Sequence, residues 1–260
     1  MAVLARAPGR GRRRSRLPQW APCRSKLAEA GVTTVEELAS SNGPVSGIGA
    51  AALARLRHQA AMQRDQDARP SLPDGRPDVQ AVVIDPAPLL ALPEPDPGDL
   101  FFDFEGDPLW DDGGSERGLE YLFGAVEADT GDFVSFLAHD RVQEKQALTD
   151  FLDYLAARRL AHPAMRVYHY AAYERSALAR LAARHTVGED TVDDLFRQGV
   201  LVDLYAAVRA AVRVSQPSYS IKKLEPLYMG ERLRAGVDNA ADSVVEDARW
   251  SDLVEQGRPA

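Results

Sequence analysis

Cysteine occurs once in the 260 residues, at Cys23, so the chain can form no internal disulfide and no cysteine-built metal cluster. A lone cysteine suits a reducing cytoplasm, which is the compartment expected here. No apolar run approaches the ~20 residues that a membrane span needs, which excludes a helical membrane anchor. The opening MAVLARAPGRGRRRSR is basic but no apolar segment follows it, so it does not read as a secretory signal. Acids are missing from residues 1–26, which hold seven Arg and one Lys; the remaining chain therefore sums to -16 within a net charge of -8. An acidic body leaves any phosphate contacts to local basic spots.

Composition divides what is present. Residues 1–24 read as a disordered basic tail. Residues 25–66 read as compact and helical, with Thr33-Thr-Val-Glu36 and Thr34-Val-Glu-Glu37 each matching a capping box. The turn Gly47-Ile48-Gly49 ahead of an amphipathic helix resembles the hairpin of a helix-hairpin-helix element. Its backbone N–H groups would face a nucleic-acid phosphate. Residues 67–98 hold eight prolines, a density that disfavours helix and ladder pairing, and read as a linker, with Val79–Ile84 able to pair as an edge strand.

From Asp99 the pattern becomes mixed. Strands are expected at Leu100–Glu105, Glu120–Glu127 and Phe133–Leu137, the last two joined by the turn signal Asp129-Thr-Gly-Asp132. Helical periodicity follows over Val142–Arg159, then a strand at Met165–Tyr170, helices at Ala172–Arg184 and Asp190–Arg197, a strand at Val200–Leu204, and helices at Tyr205–Val214 and Ala240–Gln256. Three consecutive antiparallel strands and then alternating elements predict an α/β fold of ribonuclease-H-like architecture, a mixed five-stranded sheet flanked by helices, over residues 99–256.

The chemistry-bearing segment is Leu100-Phe-Phe-Asp103-Phe-Glu105-Gly-Asp107-Pro108. Strand side chains alternate, so Asp103 and Glu105 share a face. Two adjacent carboxylates repel, and a divalent cation relieves that repulsion with hard oxygen ligands. Further acids fall at element ends: Glu174 after Tyr168-His169-Tyr-Ala-Ala-Tyr173, Asp203 at the end of a strand, and Asp238 and Asp242 opening the last helix. Ser218-Tyr219-Ser220-Ile-Lys222-Lys223 offers paired lysines for a phosphate backbone and, in Tyr219, a ring for base stacking.

The segments FFDFEGDP, GLEYLFG, VYHYAAYERSAL and SYSIKKLEPLY resemble the YprB-type ribonuclease-H-like domain of predicted RecB-family nucleases, within the DEDD superfamily of 3′→5′ exonucleases. The resemblance implies two-metal phosphodiester hydrolysis with two Mg²⁺ or Mn²⁺ ions, acting on single-stranded 3′ ends of DNA or RNA. It assigns Asp103, Glu105, Glu174 and Asp242 as catalytic metal ligands, with His169 orienting Glu174 or serving as base. Asp203, Asp238 and Tyr173 are neighbours of the site. Two positions depart from the family pattern. Glu174 stands where the second motif has aspartate, and Asp238 stands where the third has Tyr or His. These departures keep two other readings open: a non-catalytic nucleic-acid-binding module, and a fragment of a longer protein with nuclease or helicase domains beyond this chain.

Overall fold

A computed structural model describes residues 21–229, apart from residues 74, 115 and 116. In chain order the elements are helices α1 (Ala21–Glu29), α2 (Val35–Ser40) and α3 (Ala50–Ala68), strand β1 (Ala81–Val83), helix α4 (Ala87–Leu90), strands β2 (Leu100–Asp107), β3 (Leu119–Glu127) and β4 (Phe133–Leu137), and helix α5 (Arg141–Ala161). Strand β5 (Val167–His169), helices α6 (Tyr173–His185) and α7 (Glu189–Arg197), strand β6 (Leu201–Asp203), helix α8 (Leu204–Ala211), strand β7 (Val212–Val214), helix α9 (Ile221–Leu224) and a 3₁₀ turn at Glu225–Leu227 complete the described chain. Contacts divide it into two compact units. One comprises residues 21–84 with 212–229, the other residues 85–211.

The first unit buries Leu27, Val35, Leu38, Val45, Leu53 and Ala60 among its three helices. Of the two capping boxes legible in the sequence, the chain uses Thr34 with Glu37. The Thr34 hydroxyl accepts from the Glu37 N–H at 3.2 Å, and Glu37 Oε2 accepts from the Thr34 N–H at 3.1 Å. The edge strand within Val79–Ile84 forms as β1, paired antiparallel with β7. That pairing corrects the expectation of a helix through Val214: α8 stops at Ala211, and the β-branched Val212 and Val214 enter the ladder opposite Val83 and Ala81.

The second unit is built on a five-stranded sheet in the order β4-β3-β2-β5-β6. Strand β3 pairs antiparallel with both β2 and β4, whereas β5 runs parallel to β2 and to β6. The architecture is the mixed, helix-flanked α/β sheet that the sequence predicts.

Its core lies on one face, under α5, α6 and α7, with Leu100, Phe102, Phe104, Phe123, Phe151 and Leu178 at its centre. Phe102 stacks on Phe151 at 4.5 Å and meets Phe104 edge-on at 4.8 Å, and Phe104 meets Phe123 at 4.7 Å. Each buried ring contributes about 1.5–3 kcal/mol. A one-residue slip of β2 would turn all of them outward, so this packing fixes the phase of the strand.

Candidate functional site

With Phe102 and Phe104 held inward, alternation sends Phe101, Asp103 and Glu105 to the opposite face of the sheet. Phe101 is 50 % exposed while Phe102 is 4 % exposed, which confirms the phase. Register places Asp103 opposite Gly124 and Glu105 opposite Leu122, with a bulge between Glu105 and Gly106.

Glu174 reaches this pair from the first turn of α6. The turn that delivers it is strained: Ala171 adopts φ 88°, a left-handed conformation that a residue with a Cβ rarely takes. Two hydrogen bonds hold it there, and a third steadies the Asp203 carboxylate. Asp203 Oδ1 accepts from the Ala171 N–H at 3.0 Å and from the Tyr205 N–H at 2.9 Å, and His169 Nδ1 lies 2.7 Å from the Ala171 carbonyl. A carbonyl can only accept, so Nδ1 carries the proton and donates. The same Nδ1–H lies 3.2 Å from Glu174 Oε2. His169 is 4 % exposed and Glu174 3 %, so the imidazole holds the carboxylate inside the protein.

Asp103 and Glu174 meet. The Asp103 side chain reaches solvent, but its carboxyl is pushed up to about 7. Loss of water around the group is the largest cause, followed by the Glu174 charge, the hydrogen bond between the two carboxyls, and Glu105. Two adjoining carboxyls are a hard-oxygen donor set that suits a divalent cation. Among the described residues, no three His, Cys, Asp or Glu side chains gather closely enough to enclose a metal ion. Asp238 and Asp242 lie outside the described residues.

A second carboxylate network braces the same helix. Glu120, on β3, is 4 % exposed; its Oε1 accepts from the Tyr173 hydroxyl at 2.7 Å and from Arg180. Its backbone N–H donates to Glu144 Oε1 at 2.8 Å. Glu144, at 0 % exposure, also takes Arg141 at 2.9 Å, Arg184 at 3.1 Å and His185 at 2.8 Å. Burial alone would raise the Glu144 pKa, but these donors outweigh it and hold the group below the ordinary range. Among the described residues Glu120 Oε2 is buried without a hydrogen-bond partner, and a Cβ on Gly106 would lie 2.3 Å from it. Sequence reasoning passed over Glu120, although the signal was present: it is a lone acid in the apolar run Leu119-Glu-Tyr-Leu-Phe123.

The remaining predicted residues disperse. Tyr173 is committed to Glu120, and Asp203 to the Ala171 turn. In the other unit, Gly47 adopts φ 74° beside the bridge Val45–Ile48, and its carbonyl accepts from Lys26 Nζ at 2.7 Å. Gly49 precedes α3 as its N-cap. The Tyr219 hydroxyl donates to the Val212 carbonyl at 3.0 Å, leaving the ring half-buried, and Lys222 and Lys223 are exposed on α9. Among the described residues no helix is long and apolar enough to cross a membrane.

Compared with known families, residues 100–254 match the RNase_H_2 model of the RNase_H superfamily. No curated protein and no solved structure matches the chain.

Proposed function

The chain belongs to the RNase H superfamily, and from that premise we propose that it is a divalent-metal-dependent nuclease, acting as a 3′→5′ exonuclease on DNA or RNA. The observation that carries the proposal is the meeting of Asp103 and Glu174 with Glu105 on the same strand face. In this reading Asp103, Glu105 and Glu174, with Asp242 of the last segment, hold two Mg²⁺ or Mn²⁺ ions. Bound there, the ions supply an activated water and charge stabilisation of the leaving 3′-oxygen.

The protein's own part is positioning. His169 Nδ1–H fixes the rotamer of Glu174 and lowers its freedom to turn away from Asp103. With Nδ1 committed to the Ala171 carbonyl and Glu174, the imidazole acts as an orienting group. The clamp of Asp203 on the Ala171 turn and of Glu120 on Tyr173 sets the reach of the helix that bears Glu174. The helix-hairpin-helix-like turn at Gly47 and Gly49, together with Tyr219, Lys222 and Lys223, adds nucleic-acid contacts in the same reading. The same reading places the protein in the cytoplasm.

Degradation of a 5′-labelled oligonucleotide in Mg²⁺ or Mn²⁺ tests the proposal. A ladder from the wild type and none from Asp103→Asn is the expected result; a ladder that survives the substitution removes the site. The absence of a third gathered ligand among the described residues favours one other reading, a binding module without catalysis. That reading predicts retained binding with no ladder from either protein.

A further inference from the structure

Ala171 holds a conformation that its side chain opposes. Among the described residues nine glycines take a positive φ, whereas Ala171 and Thr186 alone do so with a side chain. Thr186, at φ 51° and ψ 48°, lies in the ordinary left-handed well as the C-cap of α6. Ala171, at φ 88°, lies beyond that well. For a residue with a Cβ the left-handed form is disfavoured by roughly 5- to 30-fold in population. The turn therefore exists only while its surroundings hold it.

The grip comes from two strand ends. His169 and Asp203 are register partners across β5 and β6. His169 Nδ1–H donates to the Ala171 carbonyl, and Asp203 Oδ1 accepts from the Ala171 N–H, so both backbone polar groups of one residue are held. The helix itself adds no grip at its entry: Ala172, the N-cap of α6, makes no side-chain capping bond. His169 also contacts Glu174, whereas the bonds of Asp203 Oδ1 run to the N–H groups of Ala171, Tyr205 and Ala206. Asp203 is thus the half of the grip that can be tested alone.

We propose that Asp203 is a positioning residue, which sets the reach of Glu174 by holding Ala171 left-handed. Glu174 follows Ala171 by three residues, in the first turn of α6, so the direction in which the chain leaves Ala171 decides whether its carboxyl meets Asp103. The inference rests on the nuclease reading and deepens it: cation binding by the acid pair is conditional on a carboxylate outside the acidic motifs of the resemblance. Molecules in which Ala171 relaxes to negative φ are not competent, and apparent cation affinity falls in proportion to the fraction that remains competent. A glycine in place of Ala171 would remove the condition, because glycine takes positive φ without steric opposition.

Nuclear magnetic resonance of the cation-free full chain and Mn²⁺ titration calorimetry test the grip together. The backbone coupling constants of Ala171 are expected to show positive φ in the wild type and in Asp203→Asn, which keeps an acceptor oxygen, and negative φ in Asp203→Ala. Mn²⁺ affinity is expected to fall roughly 5- to 30-fold in Asp203→Ala, to stay near wild type in Asp203→Asn, and to recover when Ala171→Gly is added to Asp203→Ala. Asp203→Ala also removes the N–H acceptor at the start of α8, a loss that Ala171→Gly cannot repair, so recovery isolates the turn. Ala171→Val leaves Asp203 intact and opposes positive φ more strongly, and is expected to weaken Mn²⁺ binding as well. Positive φ retained in Asp203→Ala, unchanged affinity in Ala171→Val, or a double variant as weak as Asp203→Ala overturns the proposal; the last assigns the reach of Glu174 to the Tyr173–Glu120 bond. A wild type that takes up no Mn²⁺ fails the nuclease reading instead and leaves the coupling constants to decide the grip.

Discussion

Asp103 and Glu174, 71 residues apart in the chain, meet at the site, where burial first and then the Glu174 charge push the Asp103 carboxyl up to about 7. Everything else at the site either adds charge to this pair or holds one of its members still. The raised Asp103 has a consequence for the cation-free protein. Between 3.8, its ordinary value, and about 7, the folded chain holds more protons than the unfolded chain, so stability falls as pH rises through that interval. Thermal melts in a chelator across this range are expected to show the decline in the wild type and to lose it in Asp103→Asn. Parallel curves would show that the pair is not coupled. Above pH 7, added Mn²⁺ is expected to raise the wild-type Tm by mass action and to do so far less in Asp103→Asn.

Because His169 Nδ1–H orients Glu174 from within the protein, His169→Ala is expected to weaken Mn²⁺ binding about 10- to 100-fold. Titration calorimetry measures the loss directly. An unchanged affinity would mean that the 3.2 Å contact is incidental to the carboxylate's orientation.

Gly106 has no room for a side chain, since a Cβ would lie 2.3 Å from the buried Glu120 Oε2. Gly106→Ala is expected to destabilise the protein by about 1–3 kcal/mol, as overpacking does. Urea unfolding checks this, and Glu120→Ala in the same chain is expected to relieve the steric part.

Glu144 compensates Arg141, Arg184 and His185 at full burial. Glu144→Ala removes the buried acceptor shared by Arg141, Arg184, His185 and the Glu120 N–H, and is expected to cost about 3–5 kcal/mol. A melt that moves by less than one degree would show that solvent readily replaces the carboxylate. The depressed pKa of Glu144 also means that its contribution is lost as pH falls through the folded-state value.

Much of the second unit was legible in one dimension. The alternation in Leu100–Asp107 told which side chains share a face, and the periodicity of Val142–Arg159 told where α5 runs, here Arg141–Ala161. These are local properties, set by the pleat and by the helical repeat. β7 was misread because three residues carry too little periodicity to distinguish a strand end from a helix end. Its identity comes from β1, more than 120 residues earlier.

Sequence alone determined that Asp103 and Glu105 stand together on one side of a strand in a mixed α/β sheet, because alternation needs nothing beyond the strand. The resemblance names Glu174 as the distant acid that joins them, and only the tertiary structure decided how it gets there. Glu174 arrives through the parallel register of β5 on β2 and a left-handed Ala171 that Asp203 and His169 hold in place. It also decided that Glu120, a lone acid in an apolar run, is a buried brace, and that Phe101 is half exposed. Convergence of side chains depends on which strands pair and how the turns between elements close, and neither is encoded in the spacing of residues along the chain.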